Sequence, residues 1–237
     1  IFTLPEDGGT PRQVTSGDYH HGGRLQWTTD GSKIIFSANR RNDWEYEPAD
    51  SDLYEISVAD GSLRQITKRQ GPDSSPVLSA DGKKIAYTGY DDRYQGYQVT
   101  HLYTMNRDGS SSKMITKSLD RSVGSPVWSG DGKGVYVSYN DKGNGKVAYA
   151  TVKGKVKVLA SNLGGTSIGR PYSSGSFTVT KDGDIAYTIS RPDRPADIAI
   201  VNAKGGTPKK ITSLNDDLFG HKELAEVEEI WYKSSHD

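Results

Sequence analysis

Pro126-Val127-Trp128-Ser129-Gly130-Asp131-Gly132-Lys133-Gly134-Val135 decides the fold of this chain, because the same phrase recurs along it. Gln26-Trp27-Thr28-Thr29-Asp30-Gly31-Ser32-Lys33-Ile34 precedes it, and so does Val77-Leu78-Ser79-Ala80-Asp81-Gly82-Lys83-Lys84-Ile85. Phe177-Thr178-Val179-Thr180-Lys181-Asp182-Gly183-Asp184-Ile185 closes the series, and each Asp-Gly falls about 50 residues after the last. A fixed period of that length is the mark of a repeat architecture. Asp-Gly between apolar runs reads as a hairpin, and a type I′ turn is expected because Asp and Gly tolerate positive φ.

After each turn comes a strand with two-residue alternation. Ile34 and Phe36, Ile85 and Tyr87, Val135 and Val137, and Ile185 and Tyr187 fall on one face; Ile35, Ala86, Tyr136 and Ala186 fall on the other. Both faces are apolar, so the strand is expected between two neighbouring sheets. A third strand follows a variable loop (Leu53–Ile56, Leu102–Met105, Val147–Tyr149, Ile198–Ile200), and a short basic fourth strand follows a second glycine turn (Arg64–Thr67, Lys113–Thr116, Lys157–Ala160, Lys209–Thr212). Short lysine-rich edge strands discourage pairing with another molecule.

Four strands per repeat around one axis make an all-β fold, a β-propeller of four-stranded antiparallel blades. Residues 1–15 match only strands three and four, a half blade. Complete blades are expected at about 24–67, 73–116, 124–160 and 174–212. Residues 213–237 contain no Asp-Gly turn and only Glu228–Ser234 reads as a strand. The phase is that of part of a larger ring, about seven blades in all.

Composition limits the partners. The chain has 237 residues, with 30 Lys and Arg against 30 Asp and Glu, so no net field favours nucleic acid or an anionic membrane. It has no cysteine and therefore no disulfide. No apolar run approaches the ~20 residues that span a bilayer, and Ile1-Phe2-Thr3-Leu4-Pro5 lacks the layout of a signal peptide. The expected compartment is a soluble one, cytoplasmic or periplasmic. His20-His21 lacks a companion ligand set, and Asp91-Asp92 and Asp216-Asp217 read as solvated turns, so no metal and no cofactor are expected.

The Pro-x-Trp-Ser-x-Asp-Gly-Lys blade resembles the propeller repeats of prolyl oligopeptidase-family serine peptidases, in particular their acylaminoacyl-peptidase and dipeptidyl-peptidase branches, and also those of TolB-like propellers. Ala225-Glu226-Val227-Glu228-Glu229-Ile230-Trp231-Tyr232-Lys233-Ser234-Ser235-His236-Asp237 resembles the segment where such peptidases pass into an α/β-hydrolase domain. The resemblance implies a non-catalytic propeller that gates access to a hydrolase domain outside residues 1–237 and contacts short peptides, with the triad on that domain. The alternative is a TolB-like interaction module. Gly165-Thr166-Ser167-Ile168-Gly169 has the spacing of a nucleophile elbow, but no apolar strand precedes it and Pro171 and Gly175 oppose a following helix. It reads as an inter-blade loop, and no catalytic residue is assigned.

Because strands alternate in direction, loops from strand two to three and from strand four to the next strand one emerge on one face. The richest, Arg40-Arg41-Asn42-Asp43-Trp44-Glu45-Tyr46-Glu47-Pro48, groups two guanidinium groups, two aromatic rings and three carboxylates. Asp43, Trp44, Tyr46 and Glu47 partly match the Asp-Trp-x-Tyr-Glu-Glu-Glu run of dipeptidyl-peptidases, whose carboxylates hold a peptide amino terminus; Pro48 and Ala49 stand where further Glu would be. Arg40, Arg41, Asp43, Trp44, Glu45, Tyr46 and Glu47 are therefore candidate peptide contacts, joined by Arg93 and Tyr94 of the next such loop. Open blades at both ends would expose apolar faces, and self-association through them is a further expectation.

Overall fold

The computed structural model describes residues 1–165 and 174–235, so the serine loop singled out above lies outside the described residues for all but its first position. The fold is an all-β propeller built from antiparallel sheets. β1 (Phe2–Thr3) and β2 (Arg12–Gln13) form a two-stranded ribbon. The first four-stranded sheet runs β3 (Gln26–Trp27), β4 (Lys33–Ala38), β5 (Asp52–Ser57), β6 (Leu63–Gln65). The second runs β7 (Asp73–Leu78), β8 (Lys84–Gly89), β9 (His101–Asn106), β10 (Lys113–Met114). The third holds β11 (Val123–Trp128), β12 (Gly134–Asp141), β13 (Asn144–Thr151) and β14 (Val156–Leu163). The fourth holds β15 (Phe177–Val179), β16 (Asp184–Arg191), β17 (Arg194–Asn202) and β18 (Lys209–Lys210). A single pairing of Leu163 with Ile189 fuses the third and fourth sheets into one eight-stranded sheet. One helical turn, α1 (Asp216–Phe219), follows.

The core lies between sheets, where the alternation of the second strand placed it. Ile34 and Phe36 of β4 pack toward the N-terminal ribbon with Tyr54 and Ile56. Ile35, on the opposite face, joins Leu53 against Ile85, Tyr87, Tyr103 and Met105 of the second sheet. Ala86 meets Val135, Val137 and Tyr139 of the third sheet, and Tyr136 meets Ile185 and Tyr187 of the fourth. Each sheet is thus covered by its successor through the same register position.

The Asp-Gly turns differ from the expected type I′ form. Gly31, Gly82, Gly132 and Gly183 have positive φ, but none of the preceding aspartates does. At the third turn the Gly132 N–H donates to Ser129 O at 3.0 Å, and the Ser129 N–H donates to Gly134 O at 2.9 Å. That is a type I turn followed by a left-handed glycine. The reason is a side-chain brace: the Ser129 hydroxyl donates to the Asp131 carboxylate at 2.7 Å, which also accepts the Lys133 N–H at 3.0 Å. Thr28 with Asp30 and Ser79 with Asp81 repeat it at 2.6 Å. These hydrogen bonds hold all three carboxylates below the usual range. The fourth turn is one residue shorter, with the Thr180 N–H donating to Asp184 O.

A second device recurs at the end of the fourth strand. The N–H groups of Ile66, Ile115 and Ile211 donate to the carbonyls of Leu53, Leu102 and Ile198. The next residue in each case is a threonine, whose hydroxyl accepts the N–H of that same third-strand residue: Thr67 from Leu53 at 2.9 Å, Thr116 from Leu102 at 2.9 Å, Thr212 from Ile198 at 2.8 Å. The third sheet has Leu159-Ala160 there and lacks the latch.

The segment Glu228–Ser234, expected as a strand, belongs to no strand, and Ile230, Trp231 and Tyr232 are exposed. Trp231 instead lies under the Lys142 ammonium, 5.0 Å from the ring centre. No helix among the described residues is long and apolar enough to cross a membrane.

Thr116 is fully buried, so Thr116→Val strands the Leu102 N–H without an acceptor. The expected loss is about 1–3 kcal/mol in equilibrium urea unfolding, whereas Thr116→Ser, which keeps the hydroxyl, loses less.

Candidate functional site

The rim that carries the loops after each second strand is uneven. β12 and β13 pair out to Asp141 and Asn144, leaving a two-residue turn in which Lys142 (φ 52°) and Gly143 (φ 77°) both adopt left-handed conformations. β16 and β17 are likewise joined by a short turn, with Arg191 opposite Arg194. Long loops occur on the first and second sheets, between Ala38 and Asp52 and between Gly89 and His101. Both lean on the connection between those sheets, residues 66–72.

The first loop is wound into successive turns: Tyr46 and Glu47 donate their N–H groups to Asp43 O at 2.8 and 3.0 Å, and Asp50 donates to Glu47 O at 3.1 Å. Arg41 fastens it from below. Its guanidinium lies 2.8 Å from Asp50 and 3.4 Å from Asp52, both buried carboxylates, and donates to the Arg69 carbonyl. Asp50 also accepts the Gly71 N–H at 2.6 Å. Gly71 cannot be replaced freely: its φ is +113°, and a Cβ there would sit 2.2 Å from the Tyr90 carbonyl of the second loop. Burial raises the Asp52 carboxyl, with Arg41, Gln65 and Thr67 opposing.

Arg69 ties the connection to the second sheet. It pairs with Asp73, which is fully buried, reaches Asp91 at 3.3 Å, and sits 4.3 Å over the Tyr103 ring. Asp73 is pushed up to about 6, chiefly by burial, with the Arg69 charge opposing. Its Oδ2 and the Arg69 Nε are buried without hydrogen-bond partners, so this pair is held by charge more than by complete hydrogen bonding.

The two loops meet above this network. The Tyr94 hydroxyl donates to Glu47 at 3.0 Å and accepts from the Gln70 amide at 2.6 Å. Tyr94 itself is left-handed (φ 54°), supported by Asp92, which accepts its N–H at 2.8 Å. The residues singled out in the sequence therefore separate into two groups. Arg41, Glu47 and Tyr94 hold the loops together. Arg40 is a brace as well: its guanidinium lies 4.5 Å over the Tyr19 ring and contacts His21 and Ser16 O. Asp43, Glu45, Tyr46 and Arg93 are exposed, Tyr46 at 84%, and half-buried Trp44 presents its ring to the edge of His20 at 6.2 Å. His20 and His21 address different neighbours, Trp44 and Phe36, and no group of metal-ligand residues occurs among the described residues. The rim can offer a ligand aromatic stacking beside carboxylates.

Sequence reasoning missed Asp50, Asp52, Arg69, Gln70 and Asp73. The available signal was two aspartates flanking the start of β5 opposite a loop arginine, a pattern of buried ion pairs.

Arg69→Met leaves Asp73 buried without its counter-charge, and about 3–5 kcal/mol of stability is expected to go at neutral pH. Because the folded Asp73 carboxyl (about 6) lies above its unfolded value of about 3.9, the folded state binds the extra proton. Its contribution is fully present below the unfolded value and is lost as pH rises through the folded one. In Arg69→Met that loss extends to higher pH, and Asp73→Asn in the same background removes the dependence, read from urea midpoints across pH.

Residues 1–93 match the model of the dipeptidyl peptidase IV N-terminal region. Dipeptidyl-peptidase 5 of Porphyromonas gingivalis is 23% identical over 89% of this chain and 30% of its own length. The Tol-Pal system protein TolB of Francisella tularensis is 34% identical over 38% of this chain and 18% of its own. The β-propeller domain of the Trilobed protease from Pyrococcus furiosus superposes with a TM-score of 0.55 at 15% identity, over 82% of this chain and 57% of that one. The chain thus spans less than a third of the length of these two curated relatives. It is a β-propeller that resembles the propeller region of the dipeptidyl-peptidase family, with blades that are also TolB-like.

Proposed function

We propose that this propeller is the non-catalytic part of a serine peptidase acting on short peptides, where it limits access and contributes substrate contacts through the rim of the first two blades. The observation that supports this most is the pair of long loops cross-tied by Tyr94, Glu47 and Gln70, which leaves Glu45 and Tyr46 exposed on a rigid base. A loop braced from beneath by Arg41 and Arg69 can hold contact groups at fixed positions with little ordering cost on binding. The match to the dipeptidyl peptidase IV N-terminal region, residues 1–93, covers the first of these loops and the connection beneath it. Bond cleavage would come from a hydrolase domain outside residues 1–237, by attack of a serine assisted by histidine and an oxyanion hole.

A second reading, a TolB-like module that binds another protein, draws on the 34% identity to TolB. Kinetics separates the two. Residues 1–237 alone are expected to leave acyl-peptide and aminoacyl chromogenic substrates intact; turnover that Ser167→Ala abolishes overturns the assignment. In the full-length protein, Tyr46→Ala with Glu45→Ala is expected to raise KM several-fold with kcat nearly unchanged, the pattern of lost uniform binding. A full-length protein with no peptidase activity supports the interaction module.

A further inference from the structure

At the end of the molecule opposite the loop rim, beside the braced Asp-Gly turns, the inner strands of all four sheets converge on one cavity. Arg24 and Gln26 line it from the first sheet, Leu78 from the second, Trp128 from the third, and Val179 and Lys181 from the fourth. The opening therefore lies on the inner-strand side of the four sheets. Its walls mix apolar side chains with Gln26, Ser129 and Thr180, two of its lining residues are cations, and no carboxylate is among the described residues that line it. Asp131 and Asp182 line the adjacent cleft between the third and fourth sheets, and Asp131 is already engaged by Ser129 and Lys133.

Both cations are exposed, and a backbone carbonyl positions the guanidinium of Arg24. Arg24 Nη1 donates to the Pro126 carbonyl at 3.0 Å, a bond that reaches from the first sheet to the third, and the other guanidinium N–H groups have no protein acceptor among the described residues. Lys181 sits where the third and fourth turns touch: a Cβ on Gly130 would fall 2.6 Å from the Lys181 carbonyl, so this approach requires glycine. Lys181 also lines the adjacent cleft that holds Asp131 and Asp182, and its ammonium makes no ion pair with a carboxylate among the described residues. Trp128 is fixed as well, its indole N–H donating to Val77 O at 3.0 Å, which commits its one polar group and leaves the ring as apolar wall.

Unpaired donors beside a fixed aromatic wall suit an anion carried on an apolar group. We propose that this inner-strand cavity binds the C-terminal carboxylate of a short apolar peptide, with Arg24 and Lys181 taking the carboxylate and Trp128, Leu78 and Val179 beside the terminal side chain. A guanidinium and an ammonium sharing one carboxylate make charge-assisted hydrogen bonds, the stronger kind, and at this exposed site added salt screens them. The site is distinct from the rim and uses none of its residues; only the choice of a peptide as ligand rests on the function proposed above.

Calorimetric titration of the full-length protein with N-acetyl-Ala-Ala-Phe tests this, its free acid compared with its C-terminal amide. The free acid is expected to bind about tenfold tighter than the amide, and added salt is expected to weaken the acid alone. Arg24→Gln with Lys181→Gln is expected to erase that preference while the far-ultraviolet spectrum and urea midpoint stay those of the parent. Tyr46→Ala, on the opposite rim, leaves the preference intact, so failure here and failure of the rim reading are separable. Equal affinity for acid and amide, a preference that survives the double substitution, or binding of neither peptide overturns the proposal.

Discussion

Each of the four sheets that follow the N-terminal ribbon has two apolar faces, and the need to cover both governs the rest of the structure. A strand such as β12, with Val135 and Val137 on one side and Tyr136 on the other, cannot lie on a surface without exposing large side chains. It becomes stable only between neighbours. Stacking successive sheets meets that need, and the same register position makes the contact from sheet to sheet. The arrangement then places all second-to-third loops at one end and all Asp-Gly turns at the other. Site geometry is thus a by-product of how the core is covered.

The two ends differ in how their backbone is held. At the Asp-Gly end, a hydroxyl and a carboxylate within each of the first three turns satisfy the free N–H groups locally, and in the fourth the Thr180 hydroxyl accepts the Asp184 N–H. At the rim, the first two loops depend on partners far away in sequence, through Arg41, Arg69 and the carboxylates of Asp50, Asp52 and Asp73. Such a buried charge network is sensitive to loss of any single member, since the remaining charge is left in a medium that solvates it poorly. Its advantage is positional: loops too long to be rigid by themselves acquire a fixed base.

These differences explain what could be read from the residues alone. The alternation of Ile34, Ile35 and Phe36 and its copies identified the double-faced strand, because a period of two is a local property. The Asp-Gly pairs identified turns but not their type; the deciding residue was the serine or threonine two positions before the aspartate. Arg41 was legible as a charged loop residue and not as an anchor, because its partners become neighbours only when β5 and the connection to β7 fold against each other. The Ile-Thr pairs at the ends of the fourth strands looked like ordinary edge residues, although their spacing from the third strand is as regular as that of the turns. In the tail, the apolar and aromatic run of 227–232 suggested a strand, but a strand needs an edge to pair with, and this run pairs with none.

The fourth sheet carries the stacking rule to its limit. Ala186 occupies the position held by Ile35, Ala86 and Tyr136 in the preceding sheets, and Ile200 beside it is 40% exposed. Where alanine stands at the equivalent place in the second sheet, the covering strand brings two valines and a tyrosine into the space it leaves. The steric mould on the fourth sheet is of the same kind: a shallow hollow floored by a methyl group and edged by isoleucine. Whatever layer comes to rest upon it must present bulk at the centre and little at the margin.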